Sequence, residues 1–340
     1  MQNLAGLAEL LSTPQKVVIF PHQRPDADAL GSCRALSLYL QKKNHKATVI
    51  SPTEYPSFLG WMPQNEEVVV YSEATHKEVE TLVAEATLIC CLDFSAPQRT
   101  APLDAFIEQN PDTPILVIDH HRGKVDFAHF ELWDITAAAT AELVYDLILL
   151  MNDRHLIDIP TAQCLYAGIM TDTASFKHPN TTGKIHRIAA DLIEMGLDSS
   201  YVQREIYDSN SENRIRLLGY ALSKCLTVRM DLKTAYFVLK QKDTRKYNPQ
   251  SGDTEGIVNY ALSIEGIDFA AILIDYGTEV RMSFRSVGTF SVADFARKHF
   301  GGGGHHNAAG GRSTEPIQKV VKRFEELIET HRSELLTSSI

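Results

Sequence analysis

The chain has 340 residues, 44% of them hydrophobic, enough to bury a sizeable core and long enough for two domains. Its 43 acidic residues exceed its 33 basic ones, giving a formal net charge of −10. That balance argues against wrapping long duplex nucleic acid, although a few local cations or metal ions still let a cleft accept small or short anions.

The opening stretch "MQNLAGLAELLSTPQK" reads as a short amphipathic helix, and the longest apolar runs, near "LICCL" and "LVYDLILLM", fall short of a bilayer span. Neither membrane insertion nor secretion is expected. "KVVIF" (16–20) reads as a buried strand, followed by a helix through "ALGSCRALSLYLQKKN" and by strands in "KATVIS" (46–51), "TLICCLDFS" (87–95) and "PILVIDHH" (114–121). These strands are apolar almost throughout, as in a mostly parallel sheet covered on both faces. Helical patterns follow in "AAATAELVYDLILLMN", "PTAQCLYAGIMTDT" and "GKIHRIAADLIEMG", the last closing on Gly196.

The segment 197–225 is polar and helical, with Ser199 and Ser211 as candidate N-caps, and reads as a linker. Beyond it, "CLTVRMDLKTAYFVLK" and "DFAAILIDYGTEVRMSFRS" read as antiparallel hairpins turned at Met230–Lys233 and Tyr276–Thr278. The expected architecture is α/β: a doubly wound domain over 1–196, the linker 197–225, and a smaller mixed-sheet α+β domain over 226–340. Cys33, Cys90, Cys91, Cys164 and Cys225 are scattered without CxxC spacing and read as reduced core residues of a cytoplasmic protein.

Three strands end in metal-ligand chemistry. His22, Asp26 and Asp28 follow the first, Asp93 ends "LICCLD", and Asp119, His120 and His121 end "ILVIDHH". In an open parallel sheet such ends converge on one crevice. Asp172, in "GIMTDTASF", closes a helical pattern. Each piece has a plainer reading: Asp26 and Asp28 as helix caps, Asp172 as a helix-end residue. Their joint occurrence at successive strand ends favours a site. His22, Asp26, Asp28, Asp93, His120 and Asp172 together give four carboxylates and two imidazoles; four packed carboxylates cannot all stay ionised without cations, a problem two divalent ions solve if one carboxylate bridges them. A set rich in oxygen with two imidazoles favours Mn²⁺ over Mg²⁺.

In the C-terminal part, "GGGGHHNAAGG" (301–311) concentrates glycines whose ordering is entropically costly. Its backbone at Gly302, Gly303 and Gly304 can approach an anion or a nucleobase closely, with His305 as a further donor; a flexible surface loop is the plainer alternative. Arg285, in "MSFRS", is the best candidate for a phosphate clamp, and Arg281 shares its face of the strand. Asn259, in "EGIVNYALSIEG", is either a substrate contact or a helix-surface amide.

"HQRPDADALGS", "LDFS", "IDHH" and "TDTASF" resemble the four ordered motifs of the DHH phosphoesterase superfamily, and "GGGGHHNAAGG" resembles the signature of its DHHA1 domain. The length and acidic character are most similar to the stand-alone oligoribonuclease (nanoRNase)/pAp-phosphatase group. Ala27 and Phe94 depart from small residues usual in the motifs, flanking ligands without replacing them.

The resemblance implies one ion held by His22, Asp26 and Asp93 and a second by Asp28, Asp93, His120 and Asp172. His121 is then left for the scissile phosphate, with Asp119 orienting a neighbouring histidine. It implies an active site in the cleft between the domains, with hydrolysis of very short RNA oligonucleotides to mononucleotides and a side activity on 3′-phosphoadenosine 5′-phosphate. Two ions roughly 3.5–4 Å apart would activate water for in-line displacement. The expected partners are short oligoribonucleotides or small nucleotides, with neither long duplexes nor membranes. Self-association as a homodimer is compatible with the resemblance.

The nearest alternative is a phosphodiesterase acting on cyclic dinucleotides or their linear products. A family II pyrophosphatase lacks the glycine signature, and a long-strand exonuclease needs extra domains and a basic track. A non-catalytic nucleotide-binding sensor would be marked by a lost metal ligand, and none is missing.

Overall fold

A computed structural model describes residues 3–249 and 252–338. The chain divides into two compact units, residues 1–209 and 210–340. The division falls inside the segment expected to be a linker.

The first unit is built on six parallel strands: β1 (Lys16–Phe20), β2 (Lys46–Ser51), β3 (Val69–Val70), β4 (Leu88–Leu92), β5 (Ile115–Asp119) and β6 (Phe130–Trp133). Their spatial order is β3-β2-β1-β4-β5-β6, so the direction of winding reverses between β1 and β4. Its helices are α1 (Leu4–Leu10), α2 (Ala27–Lys42), α3 (His76–Ala84), α4 (Asp104–Gln109), α5 (Thr140–Leu150), α6 (Ile159–Asp172), α7 (Gly183–Glu194) and α8 (Ser199–Gln203).

The continuous apolar runs have the physical basis anticipated for them. Val17 and Ile19 of β1 pack with Leu88, Cys90 and Leu92 of β4 into the cluster that holds residues of α2, α5 and α6, while Val18, Phe20, Ile89 and Cys91 join the cluster with α3 and α4. Each such side chain, fully buried, contributes about 1.5–3 kcal/mol. The five cysteines are free thiols, four of them buried.

The second unit holds a mixed sheet of β7 (Leu226–Arg229), β8 (Thr234–Leu239), β9 (Phe269–Asp275), β10 (Val280–Ser286), β11 (Gly303–His305) and β12 (Ala308–Ser313) in the order β11-β12-β10-β9-β8-β7. β8 and β9 are parallel and the other neighbours antiparallel. α9 (Glu212–Tyr220), α10 (Gln241–Tyr247), α11 (Ile257–Leu262), α12 (Val292–Phe300), α13 (Ile317–Thr330) and α14 (Arg332–Thr337) complete the unit. Phe269, Ala271 and Leu273 of β9 face the core with α12 and α13, and Ala270, Ile272 and Ile274 face the core with α11. Both expected hairpins form at the expected turns.

Two expectations change. α8 is capped by Asp198 and not Ser199, because the aspartate Oδ1 accepts the N–H groups of Ser200 and Tyr201, both at 3.0 Å. Ser211 does cap α9 through the N–H of Arg214. The glycine run is not a loop: Gly301 is the left-handed cap of α12, and Gly303–His305 pairs with Ala308–Gly310 as an edge hairpin. A Cβ on Gly302 would fall on the Gly310 carbonyl oxygen, so glycine there lets the two strands of the hairpin approach closely.

Candidate metal centre

β1, β4 and β5 end side by side at the reversal point, and the four segments that follow them and α6 bring the ligand-type residues together. Asp26 opens α2: its Oδ1 accepts the N–H groups of Asp28 and Ala29, both at 3.0 Å. Capping and ligand chemistry are thus compatible in one residue, since the second oxygen is not used by the cap. Asp28, in the first turn of α2, is fully buried and lies against the N-terminus of α5, accepting Thr140 N–H at 2.6 Å and Ala141 N–H at 2.9 Å. A Cβ on Gly168 of α6 would stand 2.6 Å from Asp28 Oδ1 and 2.7 Å from the Ala141 Cβ, so glycine there leaves room for the carboxylate.

Asp93 follows β4 with a φ of 65°, a left-handed conformation that costs a non-glycine residue energy and recurs at functional sites. Its Oδ2 lies 3.3 Å from His22 Nε2. Its Oδ1 accepts the Thr140 hydroxyl at 2.7 Å and lies 3.5 Å from His120 Nε2. His120 Nε2 is also 3.3 Å from Asp172 Oδ2 and 3.9 Å from Asp28 Oδ2, while its Nδ1 faces the Ala137 carbonyl at 3.2 Å. Asp172 ends α6, and the chain turns through three consecutive left-handed residues, Ala174, Ser175 and Phe176, fixed by Thr173 Oγ1 accepting Phe176 N–H at 3.1 Å.

Overlapping groups result. One ligand atom each from His22, Asp26 and Asp93 lies within 4.8 Å of the others, and the same holds for Asp28, Asp93 and His120. Asp93 belongs to both. Asp93 also belongs to a third such group, with Asp119 and His121, whose Nδ1 is 2.8 Å from Asp119 Oδ1 and 3.6 Å from Asp93 Oδ1. Asp119 is fully buried, and its Oδ2 has no hydrogen-bond partner among the described residues.

The electrostatics follow from packing acids beside imidazoles. Burial pulls His22 down, but Asp93 and Asp26 outweigh it and carry its pKa up to about 9. Burial likewise opposes the charge on His120, yet Asp172, Asp93 and Asp28 push it up to about 11. Burial and neighbouring carboxylates hold Asp28 well above the usual range, and burial with Asp26 and Asp93 lifts Asp172 to about 6 despite His120. Asp93 is held low by His121, His22 and His120 in spite of its burial. A cluster that draws positive charge this strongly, with oxygen-rich donors and two imidazoles, fits divalent cations.

In the second unit, Arg285 on β10 is half-buried and donates through Nη1 to the Phe284 carbonyl at 3.0 Å. Burial pulls its guanidinium down and Glu255 opposes that. Arg281 lies on the same strand face, exposed, held at 2.6 Å by Glu279 and stacked over Tyr276. Asn259 is exposed on α11, and His305 is exposed on β11. Thr140 is the contact the sequence reading missed. Only a threonine at the end of an alanine run marked it, and that pattern reads as an ordinary helix start.

Residues 16–169 match the model of the DHH family, N-terminal domain, and residues 232–331 match that of the DHHA1 domain. The bifunctional oligoribonuclease and PAP phosphatase NrnA of Thermus thermophilus is 31% identical over 98% of this chain and 95% of its own. A solved structure, an exopolyphosphatase-related protein from Bacteroides fragilis, superposes with a TM-score of 0.93 at 33% identity, covering 98% of this chain and 97% of that one. The cyclic-di-AMP phosphodiesterase GdpP of Geobacillus thermodenitrificans is 25% identical over 95% of this chain, which spans 48% of that protein. With its motifs in order, both domains matched and a relative this similar over almost the full length, the chain belongs to the DHH/DHHA1 phosphoesterase superfamily.

Proposed function

We propose that the chain hydrolyses very short RNA oligonucleotides to mononucleotides and removes phosphate from 3′-phosphoadenosine 5′-phosphate, using two divalent ions, Mn²⁺ by preference. The observation that carries this reading is the paired cluster around Asp93, in which two ligand groups share one carboxylate. His22, Asp26 and Asp93 would hold one ion, and Asp28, Asp93, His120 and Asp172 the other. Bound there, such ions lower the pKa of water and neutralise phosphate charge.

The chain's own residues supply position and protons. Asp119 Oδ1 lies 2.8 Å from His121 Nδ1, which fixes the ring; with both ring nitrogens protonated, Nε2 would donate to a phosphoryl oxygen or the leaving group. Of the serines in the ligand motifs, Ser32 and Ser95 are buried and Ser175 donates to Gln203 Oε1, so the reading is direct hydrolysis without a covalent intermediate. Arg285, with Arg281, Asn259, His305 and the backbone of Gly302, Gly303 and Gly304, would hold parts of the substrate that are not cleaved. The similarity to the oligoribonuclease and PAP phosphatase of Thermus thermophilus supports the substrate class.

A second reading, hydrolysis of cyclic dinucleotides, is favoured by the similarity to a cyclic-di-AMP phosphodiesterase. Comparing turnover of a labelled dinucleotide, a cyclic dinucleotide and 3′-phosphoadenosine 5′-phosphate with Mn²⁺ separates them. Fastest cleavage of the linear dinucleotide supports the first reading, and fastest cleavage of the cyclic one replaces it with the second.

A further inference from the structure

Thr140 touches two ligand-type carboxylates at once. Its hydroxyl donates to Asp93 Oδ1 at 2.7 Å and its N–H donates to Asp28 Oδ2 at 2.6 Å, with Ala141 N–H on the other Asp28 oxygen at 2.9 Å. Thr140, Asp28 and Asp93 are all buried, Thr140 and Asp28 completely. α5 spans eleven residues, so its first turn places aligned peptide dipoles beside an anionic group. The start of that helix is itself braced, because Glu142 Oε2 accepts Ala138 N–H at 2.7 Å and Glu142 Oε1 pairs with Lys184 at 2.8 Å. Gly168 completes the arrangement from the α6 side, where any Cβ would displace Asp28.

We propose that Thr140 is a positioning residue for the metal centre: the opening turn of α5 holds Asp28 and the shared Asp93 in one fixed relation, which sets the affinity for divalent ions. A hydroxyl on Asp93 Oδ1 and two amides on Asp28 occupy defined lone pairs, so the remaining ones are aimed by the fold and not by chance rotamers. Each of the two carboxylates sits on a different strand-end segment, and Thr140 is the group that ties one to the other through hydrogen bonds. The inference rests on the metal-ligand reading proposed above.

The test uses the full-length protein and Mn²⁺ alone, with free Mn²⁺ followed by electron paramagnetic resonance. Thr140→Val keeps the shape and both amides and removes the hydroxyl; Thr140→Ser restores it. Thr140→Val is expected to bind Mn²⁺ about 10- to 100-fold more weakly, the usual effect of deleting a partner of a metal ligand, with Thr140→Ser within about threefold of wild type. Circular dichroism at the titration temperature establishes that each variant is folded. Should Thr140→Val not fold, Thr140→Ala takes its place in the same comparison. Wild-type Mn²⁺ affinity in a folded variant lacking the hydroxyl overturns the role of Thr140 and leaves the metal reading standing. A wild-type protein that binds no Mn²⁺ removes both.

Discussion

At Asp93 one carboxylate is reached from several sides: His22 on Oδ2, and Thr140, His120 and His121 around Oδ1. Its removal deletes the only side chain common to both ligand groups. Asp93→Ala is therefore expected to lose both bound metal and activity, whereas His121→Ala loses turnover and keeps its metal. Metal analysis of the purified variants checks this; equal metal loss in the two would exchange the roles of the adjacent histidines. Arg285 has a different expected signature. A charge-assisted contact to a phosphate that is not cleaved contributes ~1.5–3 kcal/mol equally to ground and transition states. Arg285→Ala should then raise KM for a dinucleotide by about 10- to 100-fold with kcat nearly unchanged, since each 1.4 kcal/mol is a factor of ten. Steady-state kinetics decide it, and an unchanged KM returns Arg285 to an ordinary half-buried arginine. The acidic and histidine residues of the cluster were legible because few other roles put them at successive strand ends. Thr140 was not, because its function comes from where α5 begins in space.

At the scale of elements, α2 and α6 meet at glycines. A Cβ on Gly31 would stand 2.6 Å from the Cys164 carbonyl oxygen, and one on Gly168 would strike Asp28. Gly168→Ala should destabilise the protein by about 1–3 kcal/mol, the ordinary cost of overpacking, and weaken metal binding as Asp28 shifts. Urea unfolding beside a Mn²⁺ titration measures both; wild-type values in each would mean that the helices part freely. The long strands and helices were readable because their apolar pattern matches the faces they bury. β3, at two residues, and β6, carrying Glu131, lack that pattern, and they were missed. The glycine hairpin escaped for a related reason: glycine has low strand propensity, and pairing with β12 overrides it.

At the scale of the whole molecule, a net charge of −10 repels a long polyanion beyond any local cationic site, which is the physical basis of the short substrates proposed above. No helix among the described residues is long and apolar enough to cross a membrane. The change of sheet type was legible because strands separated by helices give way to strand–turn–strand hairpins. The central claim, metal-dependent cleavage of very short RNA, is tested most directly by turnover of a length series from dinucleotide to 24-mer with Mn²⁺, repeated after chelation. The expected result is rapid conversion of the dinucleotide to mononucleotides, a steep fall beyond roughly five nucleotides as the polyanion penalty grows, and loss of all turnover with chelator. A 24-mer degraded as fast as the dinucleotide, or cleavage that survives metal removal, would contradict it.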